Sequence, residues 1–238
     1  MVNNTKIRGG RKLNSTTELR CSNNRGQLIG TLIEPTSSFV IENDRFIEGK
    51  LKVERLSETV DILPFTISER LVKANGLTLE EGERLALGGE LRSYNRMVDG
   101  KSRLILSFFV KDVLRENNLV DENTNLLKLT GYICKQPNYR VTPFNREICD
   151  VLLAVNRPSF NKSDYIPCIL WGRNALLMQE QKVGTKVNLL GRIQSRVYKK
   201  EIKEGVYEER TAYEVSGQRL QILEKESEVS STEGELGA

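Results

Sequence analysis

Three blocks of sequence decide the fold: ICDVLLAVNRPS (148–159), DYIPCILWGR (164–173) and GTKVNLLGRIQS (184–195). The first two contain branched apolar runs of strand length, and the third alternates apolar and polar residues over part of its length. Between the second and third blocks, GRNALLMQEQKVG (172–184) has the pattern of one short helix that ends at a glycine. Gly191 stands in mid-strand, where it predicts a bend or a bulge.

Further strands flank these blocks on both sides. KLTGYIC (128–134) reads as a short strand before them, and RTAYEVSGQRLQIL (210–223) reads as a returning strand after them. The charged stretch YKKEIKEGVYEE (198–209) between them is typical of a hairpin tip. Five strands with a helix between the third and fourth predict an OB-fold, a Greek-key barrel that often binds oligonucleotides.

The same three blocks occur earlier in the chain in a diverged form. They read FIEGKLKVERLS (46–57), DILPFTISER (61–70) and GERLALGGELRS (82–93), with offsets of 102, 103 and 102 residues. Such a steady offset indicates an internal duplication. We therefore predict an all-β chain with two tandem OB-folds, at residues 26–115 and 127–223, joined by a polar linker at 116–126.

Charge is distributed unevenly along the chain. Residues 1–25 are basic and poor in apolar positions, which predicts a flexible arm, and residues 224–238 predict a disordered acidic tail. Residues 126–223 contain sixteen Lys and Arg against nine acidic residues. This excess fits a polyanionic partner, although an ordinary solvated surface explains it equally well.

Composition excludes several classes of function. The chain contains no histidine, which removes His-based catalysis and His-ligated metal sites. Its four cysteines form no Cys-x-x-Cys pair, so we predict no metal and no cofactor. No apolar run approaches the roughly 18 residues that a membrane span needs. The N-terminus lacks the apolar stretch of a secretion signal, so we predict a cytoplasmic protein. Because histidine and any nucleophile–base arrangement are missing from the sequence, we predict that it is not an enzyme.

Residues 131–198 resemble the bacterial single-stranded DNA-binding proteins. The resemblance lies in GYICKQPNYRVTPFNREICDVLLAVNRPSF (131–160), DYIPCILWGRNA (164–175) and VGTKVNLLGRIQSRVY (183–198), in the order of the family. The first unit resembles a diverged copy of the same domain. The resemblance implies sequence-independent binding and protection of single-stranded DNA in replication, recombination and repair.

The resemblance also implies which side chains contact the strand. The family stacks nucleobases on aromatic rings, and its four positions fall on Phe160, Tyr165, Trp171 and Tyr198. All four are aromatic in a chain with only 6% aromatic residues. Neighbouring cations are candidates for phosphate contacts: Arg140, Arg157, Arg173, Arg192, Arg196, Lys199 and Lys200.

The first unit departs from this pattern. Its four corresponding positions carry no aromatic ring: Glu58, Ile62, Ser68 and Arg96. We therefore predict that the first unit is a structural partner, equivalent to half of an OB-fold dimer within one chain. Other aromatic residues leave a relocated groove open as an alternative: Phe39, Phe46, Tyr94, Phe108 and Phe109.

The family also suggests an assembly and partners. Its members bring four OB-folds together, which implies a homodimer for a chain with two. The family tail commonly ends in an acidic tip with Pro-Phe that recruits replication and repair proteins, whereas this chain ends in GELGA. Two alternatives therefore remain open: a primosome-type replication accessory protein that acts mainly through protein contacts, and an RNA-binding OB-fold protein.

Overall fold

The computed structural model describes the chain at residues 22–33, 36–55, 57–98, 100–114, 124–158 and 161–223. Four sequence predictions concern residues outside these ranges. They are the acidic tail, residues 1–21 of the basic arm, residues 116–123 of the linker, and Phe160.

The first unit contains six strands and one helix within its described residues. They are β1 (Asn24–Leu32), β2 (Ser37–Ile41), β3 (Asp44–Glu54), β4 (Val60–Ser68), α1 (Glu69–Asn75), β5 (Arg84–Val98) and β6 (Lys101–Val113). Along β4, residues 61, 63, 65 and 67 are buried and alternate with more exposed neighbours through most of the strand. Helix α1 begins where the Ser68 side chain accepts a hydrogen bond from the Leu71 N–H, and it ends at Gly76 with φ 64°.

The second unit repeats this order. Its elements are β7 (Asn125–Ile133), β8 (Asn138–Val141), β9 (Glu147–Asn156), β10 (Ser163–Trp171), α2 (Arg173–Gln179), β11 (Lys186–Lys203) and β12 (Val206–Leu223). The predicted glycine stop of α2 is wrong, because the helix ends at Gln179 and Glu180 is its C-cap. Gly184, with φ 89°, instead forms the turn into β11. The predicted hairpin tip at 198–209 is also too wide, because β11 continues to Lys203 and β12 begins at Val206, which leaves two residues for the turn.

Each unit closes into a five-stranded barrel. In the first, β1 pairs with both β5 and β3, and the circuit continues through β4 and β6, which are parallel. In the second, β7 pairs with both β11 and β9, and β10 and β12 form the parallel pair. The helix follows the third barrel strand in both units, which confirms the prediction of tandem OB-folds. The short strands β2 and β8 were not predicted and lie at the two edges of the sheet.

The predicted bulge at Gly191 is confirmed. The register between β11 and β12 shifts between Leu190 and Gly191, and the first unit has the same shift between Gly88 and Gly89. A Cβ atom on Gly191 would collide with the backbone carbonyl of Ser216. Glycine is therefore required here, because the two strands approach too closely for any side chain.

The two barrels share one continuous sheet. Strand β1 of the first unit pairs antiparallel with β7 of the second, from Asn24 opposite Leu129 to Leu28 opposite Asn125. All twelve strands of the described residues therefore belong to one sheet. No helix in this part of the chain is long and apolar enough to span a membrane.

Two reciprocal hydrogen-bond clusters lock the units together. Asp61 of the first unit is fully buried, and its Oδ1 accepts a hydrogen bond from the Ser195 N–H of the second unit at 2.8 Å. Asp164 of the second unit accepts from the Ser93 N–H of the first at 2.7 Å. Each aspartate also pairs with an arginine of its own unit, Arg55 and Arg157 respectively. The duplicated positions thus form a pseudo-two-fold interface.

Candidate nucleic-acid interface

Strand β10 carries two of the predicted rings on its outer face. Asp164, Ile166, Cys168 and Leu170 are buried, whereas Tyr165 and Trp171 are 48% and 39% exposed. Because side chains alternate along a strand, the two rings lie on the same face. They stand six residues apart, or about 20 Å along the strand. A single-stranded nucleic acid would therefore contact both rings only if it ran along the barrel surface.

A hydrogen bond holds the Trp171 ring at one end of this face. The indole Nε1–H donates to the Ser216 side chain of β12 at 3.3 Å. Trp171 lies opposite Ile148 of β9, which in turn lies opposite Arg140 of the edge strand β8. The Arg140 side chain is exposed and donates to Asp150 at 3.0 Å. The indole is thus anchored by its polar edge while part of its surface stays open.

Tyr198 lies on β11 near the other end of the face. It is opposite Arg210 of β12, and the guanidinium carbon of Arg196 lies 5.5 Å from its ring centroid. Tyr198 also lines a groove between the barrels, together with Pro167 of β10 and Arg103 of the first unit. The groove therefore has a ring, a cation and walls from both units.

Acidic residues partly balance the cations of the β11–β12 hairpin. Lys199 and Lys200 are exposed and lie opposite Glu209 and Glu208 in the strand register. The hydrogen bond from Arg210 lowers the pKa of Glu208, and the charge of Lys200 contributes to the same shift. Glu208 therefore stays ionised near neutral pH, so a polyanion would have to compete with it for these cations.

The seven predicted phosphate-contacting cations fall into two groups. Five are exposed on the second unit: Arg140, Arg173, Arg196, Lys199 and Lys200. Arg157 and Arg192 are half-buried at the interface between the units. Arg157 donates two hydrogen bonds to Asp164, which raise the pKa of its guanidinium. Arg192 lies 4.0 Å from Asp61, and its burial lowers its pKa.

Sequence reasoning missed three exposed rings among the described residues of the second unit: Tyr132, Phe144 and Tyr207. Tyr132 of β7 is 39% exposed and lies opposite Ala154 of β9. On its other side, Ala154 lies opposite Tyr165 of β10. The small Ala154 thus separates two tyrosines in one row across three strands. Phe144, in the turn between β8 and β9, is 87% exposed. Tyr132 alternates with buried Leu129, Gly131 and Ile133, so the strand pattern could have indicated its outward direction.

Nothing in the described residues suggests a metal site or a reactive thiol. No group of three or more Cys, Asp or Glu in this part of the chain is arranged to hold a metal ion. Cys149 and Cys168 are buried in the second barrel, and burial raises the pKa of Cys149 to about 11. At neutral pH these cysteines remain protonated and pack as small apolar side chains.

The topology and the outer face define a tandem OB-fold protein, and comparison with known proteins identifies its family. The family model described as "Single-strand binding protein family" matches residues 124–223. Single-stranded DNA-binding protein 3 of Streptococcus agalactiae is 32% identical over 114 residues, which cover 45% of this chain and 80% of that protein. Single-stranded DNA-binding protein B of Bacillus subtilis is 38% identical over 90 residues, which cover 35% and 79%.

A solved structure extends the likeness to both barrels. The crystal structure of a deletion mutant of the single-stranded DNA binding protein from Thermus aquaticus matches with a TM-score of 0.64 and 19% identity. The match covers 87% of this chain and 97% of that one, so it shows the same fold across both units. The family model and the sequence identity to the relatives show that the chain belongs to the single-strand binding protein family.

Proposed function

We propose that the chain binds single-stranded DNA without regard to sequence, along the outer face of its second barrel. The observation that carries the proposal is the placement of Tyr165, Trp171 and Tyr198 on this face, each more than a third exposed. Rings of this kind stack on any base, and nearby cations neutralise phosphates. Phe160, which lies outside the described residues, remains a fourth candidate. Binding of this kind requires no chemical step.

The first unit has a structural part in this proposal. Its Ser93 hydroxyl accepts a hydrogen bond from the Tyr165 N–H at 2.7 Å, next to the contact between Asp164 and the Ser93 N–H. The first barrel thereby fixes the backbone that carries one stacking ring of the second. Its own surface lacks rings at the four family positions. We propose that it supports the binding face as an OB-fold partner within the chain.

We propose that five exposed cations of the second unit contact the phosphates: Arg140, Arg173, Arg196, Lys199 and Lys200. Arg157 and Arg192 are engaged with buried aspartates of the interface, so we propose that they position the binding face instead. We propose that the chain acts in the cytoplasm, where it coats single strands of DNA that are exposed in replication, recombination and repair.

Titration with oligo-dT tests the proposal, because Trp171 is the only tryptophan of the chain. We expect its fluorescence to be quenched on binding and the affinity to fall as salt rises. A labelled oligonucleotide followed by anisotropy in parallel reports binding independently. Duplex DNA of the same length and a matched RNA oligomer are the competitors. Preference for either competitor, or binding with unchanged tryptophan emission, would contradict the proposed interface.

The assembly is a separate proposal. By the family resemblance, two chains would form a homodimer with four OB-folds. Light scattering coupled to size-exclusion chromatography should then give twice the 27.1 kDa of one chain. A mass equal to one chain at micromolar concentration would refute the dimer without affecting the proposed binding face.

A further inference from the structure

The first barrel carries a cluster of three phenylalanines on its outer face. The ring centroids of Phe39 on β2 and Phe46 on β3 lie 5.8 Å apart with an interplanar angle of 22°. Phe109 on β6 lies 5.8 Å from Phe46. All three rings are only partly buried. Their strands direct other residues into the core, Leu51 and Val53 from β3 and Phe108 and Val110 from β6, so the three rings belong to the outer face.

The cluster occupies the place on the first barrel that Trp171 occupies on the second. In the second unit, Arg140, Ile148 and Trp171 form one row across β8, β9 and β10. The equivalent row of the first unit is Phe39, Phe46 and Ser68. The ring at the family position has become serine, but its two neighbours in the row have become aromatic.

A third exchange completes the cluster. In the second unit, Ser216 of β12 lies beside Ile169 of β10 and bonds the indole. The matching pair in the first unit is Phe109 beside Thr66. The rings therefore lie on the strands that flank β4, on β3 and β2 on one side and on β6 on the other, around the position that corresponds to Trp171.

Two cations lie against the cluster. The Lys111 ammonium is 5.0 Å from the centroid of Phe109, and the Arg92 guanidinium is 6.0 Å from it. Both distances are within the range of cation–π contacts. Arg92 also pairs with Glu90 and with Asp164 of the second unit, whereas the Lys111 side chain is exposed. A phosphate beside the rings would therefore meet Lys111 first.

A route connects the two faces. The groove beside Tyr198 is also lined by Arg103 and Ile105 of β6. Arg103, Ile105, Ser107 and Phe109 alternate along β6 and so share its outer side, where Ser107 is buried against Thr66 and the other three are partly exposed. A nucleic-acid strand that passes Tyr198 and then follows β6 from Arg103 reaches Phe109 after six residues of the β-strand, a distance of about 20 Å.

We propose that Phe39, Phe46 and Phe109 form a second base-stacking surface, which receives nucleobases from the same strand that binds the second barrel. The inference rests on the proposed function of the second barrel. It adds a binding role to a unit that sequence alone predicts to be structural. Because the first unit contains more acidic than basic residues, this surface contributes through stacking more than through phosphate neutralisation.

A relocated tryptophan tests the surface directly. In a Trp171→Phe background, Phe46→Trp makes the new indole the only tryptophan of the chain. We expect its emission to be quenched by oligo-dT of about 30 nucleotides, long enough for two OB-folds at up to about 16 nucleotides each. Leu177→Trp in the same background is the control, because Leu177 is an exposed residue of α2 that belongs to neither set of stacking rings. We expect no quenching there.

The outcomes separate the two proposals. Bound oligonucleotide, seen by anisotropy, with unchanged emission from Trp at position 46 would overturn the second surface and leave the first. Absence of binding by the wild-type chain would overturn both.

Alanine at the same position gives a second, independent readout. Phe46→Ala should weaken binding of the long oligo-dT by about fivefold or more, the equivalent of one lost stack. Binding of an oligo-dT of about 8 nucleotides, which one OB-fold can accommodate, should stay unchanged. The salt dependence should also stay unchanged, since no phosphate contact is removed. Equal losses for both lengths would indicate a purely structural role and refute the inference.

Discussion

Replacement of Asp164 by alanine should lower the free energy of unfolding by about 3 kcal/mol or more, because removal of one partner from a buried ion pair leaves the other uncompensated. The carboxylate is 1% exposed and accepts hydrogen bonds from Arg157 and from the Ser93 N–H. Without it, the buried Ser93 N–H loses its acceptor, and the half-buried Arg157 keeps only its hydrogen bond to the Ser93 carbonyl. Urea unfolding at fixed protein concentration measures the change.

Two further variants make this prediction specific. Asp150→Ala removes an aspartate whose side chain is 39% exposed and which pairs with an exposed Arg140, so it should cost at most about 1 kcal/mol. Asp164→Asn keeps an acceptor for the Ser93 N–H and should be less harmful than alanine. Asp61→Ala should resemble Asp164→Ala, because Asp61 makes the reciprocal contacts. A loss at Asp164 no larger than that at Asp150 would refute the role assigned to the interface.

The interface also shows what the sequence could and could not predict. The nearly constant offset of 102 or 103 residues between matched residues, such as Asp61 and Asp164, was sufficient to predict two copies of one barrel. It did not reveal that each aspartate bonds the opposite copy, because Asp61 and Ser195 are 134 residues apart and meet only through the pairing of β1 with β7. Local patterns carry no information about that pairing.

The cations illustrate the same limit. Arg157 and Arg196 both stand near a predicted stacking ring in the sequence, so both were predicted to contact phosphates. Arg196 is exposed beside Tyr198, whereas Arg157 is turned toward Asp164 and the first unit. The difference depends on the neighbouring barrel. Similarly, the Phe39, Phe46 and Phe109 cluster depends on the register of four neighbouring strands, β2, β3, β4 and β6, which a comparison of matched positions along the chain cannot detect.

Loss of Trp171 and Tyr198 together should abolish most of the affinity for single-stranded DNA. Each stacked base contributes about 1–3 kcal/mol by alanine substitution. The parallel pairing of Cys168 with Val215 places Arg210, and hence Tyr198 opposite it, toward the start of β10, whereas Trp171 is at its end. Effects of well-separated residues usually add, so the double alanine variant should lose about 2–6 kcal/mol of binding free energy.

The control for this variant is Leu177→Ala, which removes an apolar side chain of similar exposure, 40% against 39% for Trp171, from the helix α2. It should bind oligo-dT like the wild-type chain. Both stacking rings are partly exposed and lie outside the core, so the double variant should unfold at nearly the wild-type urea concentration. An affinity loss with an intact fold can then be attributed to the rings themselves. Wild-type affinity in the double variant would refute the proposed binding face, because single-stranded DNA would then bind elsewhere on the chain.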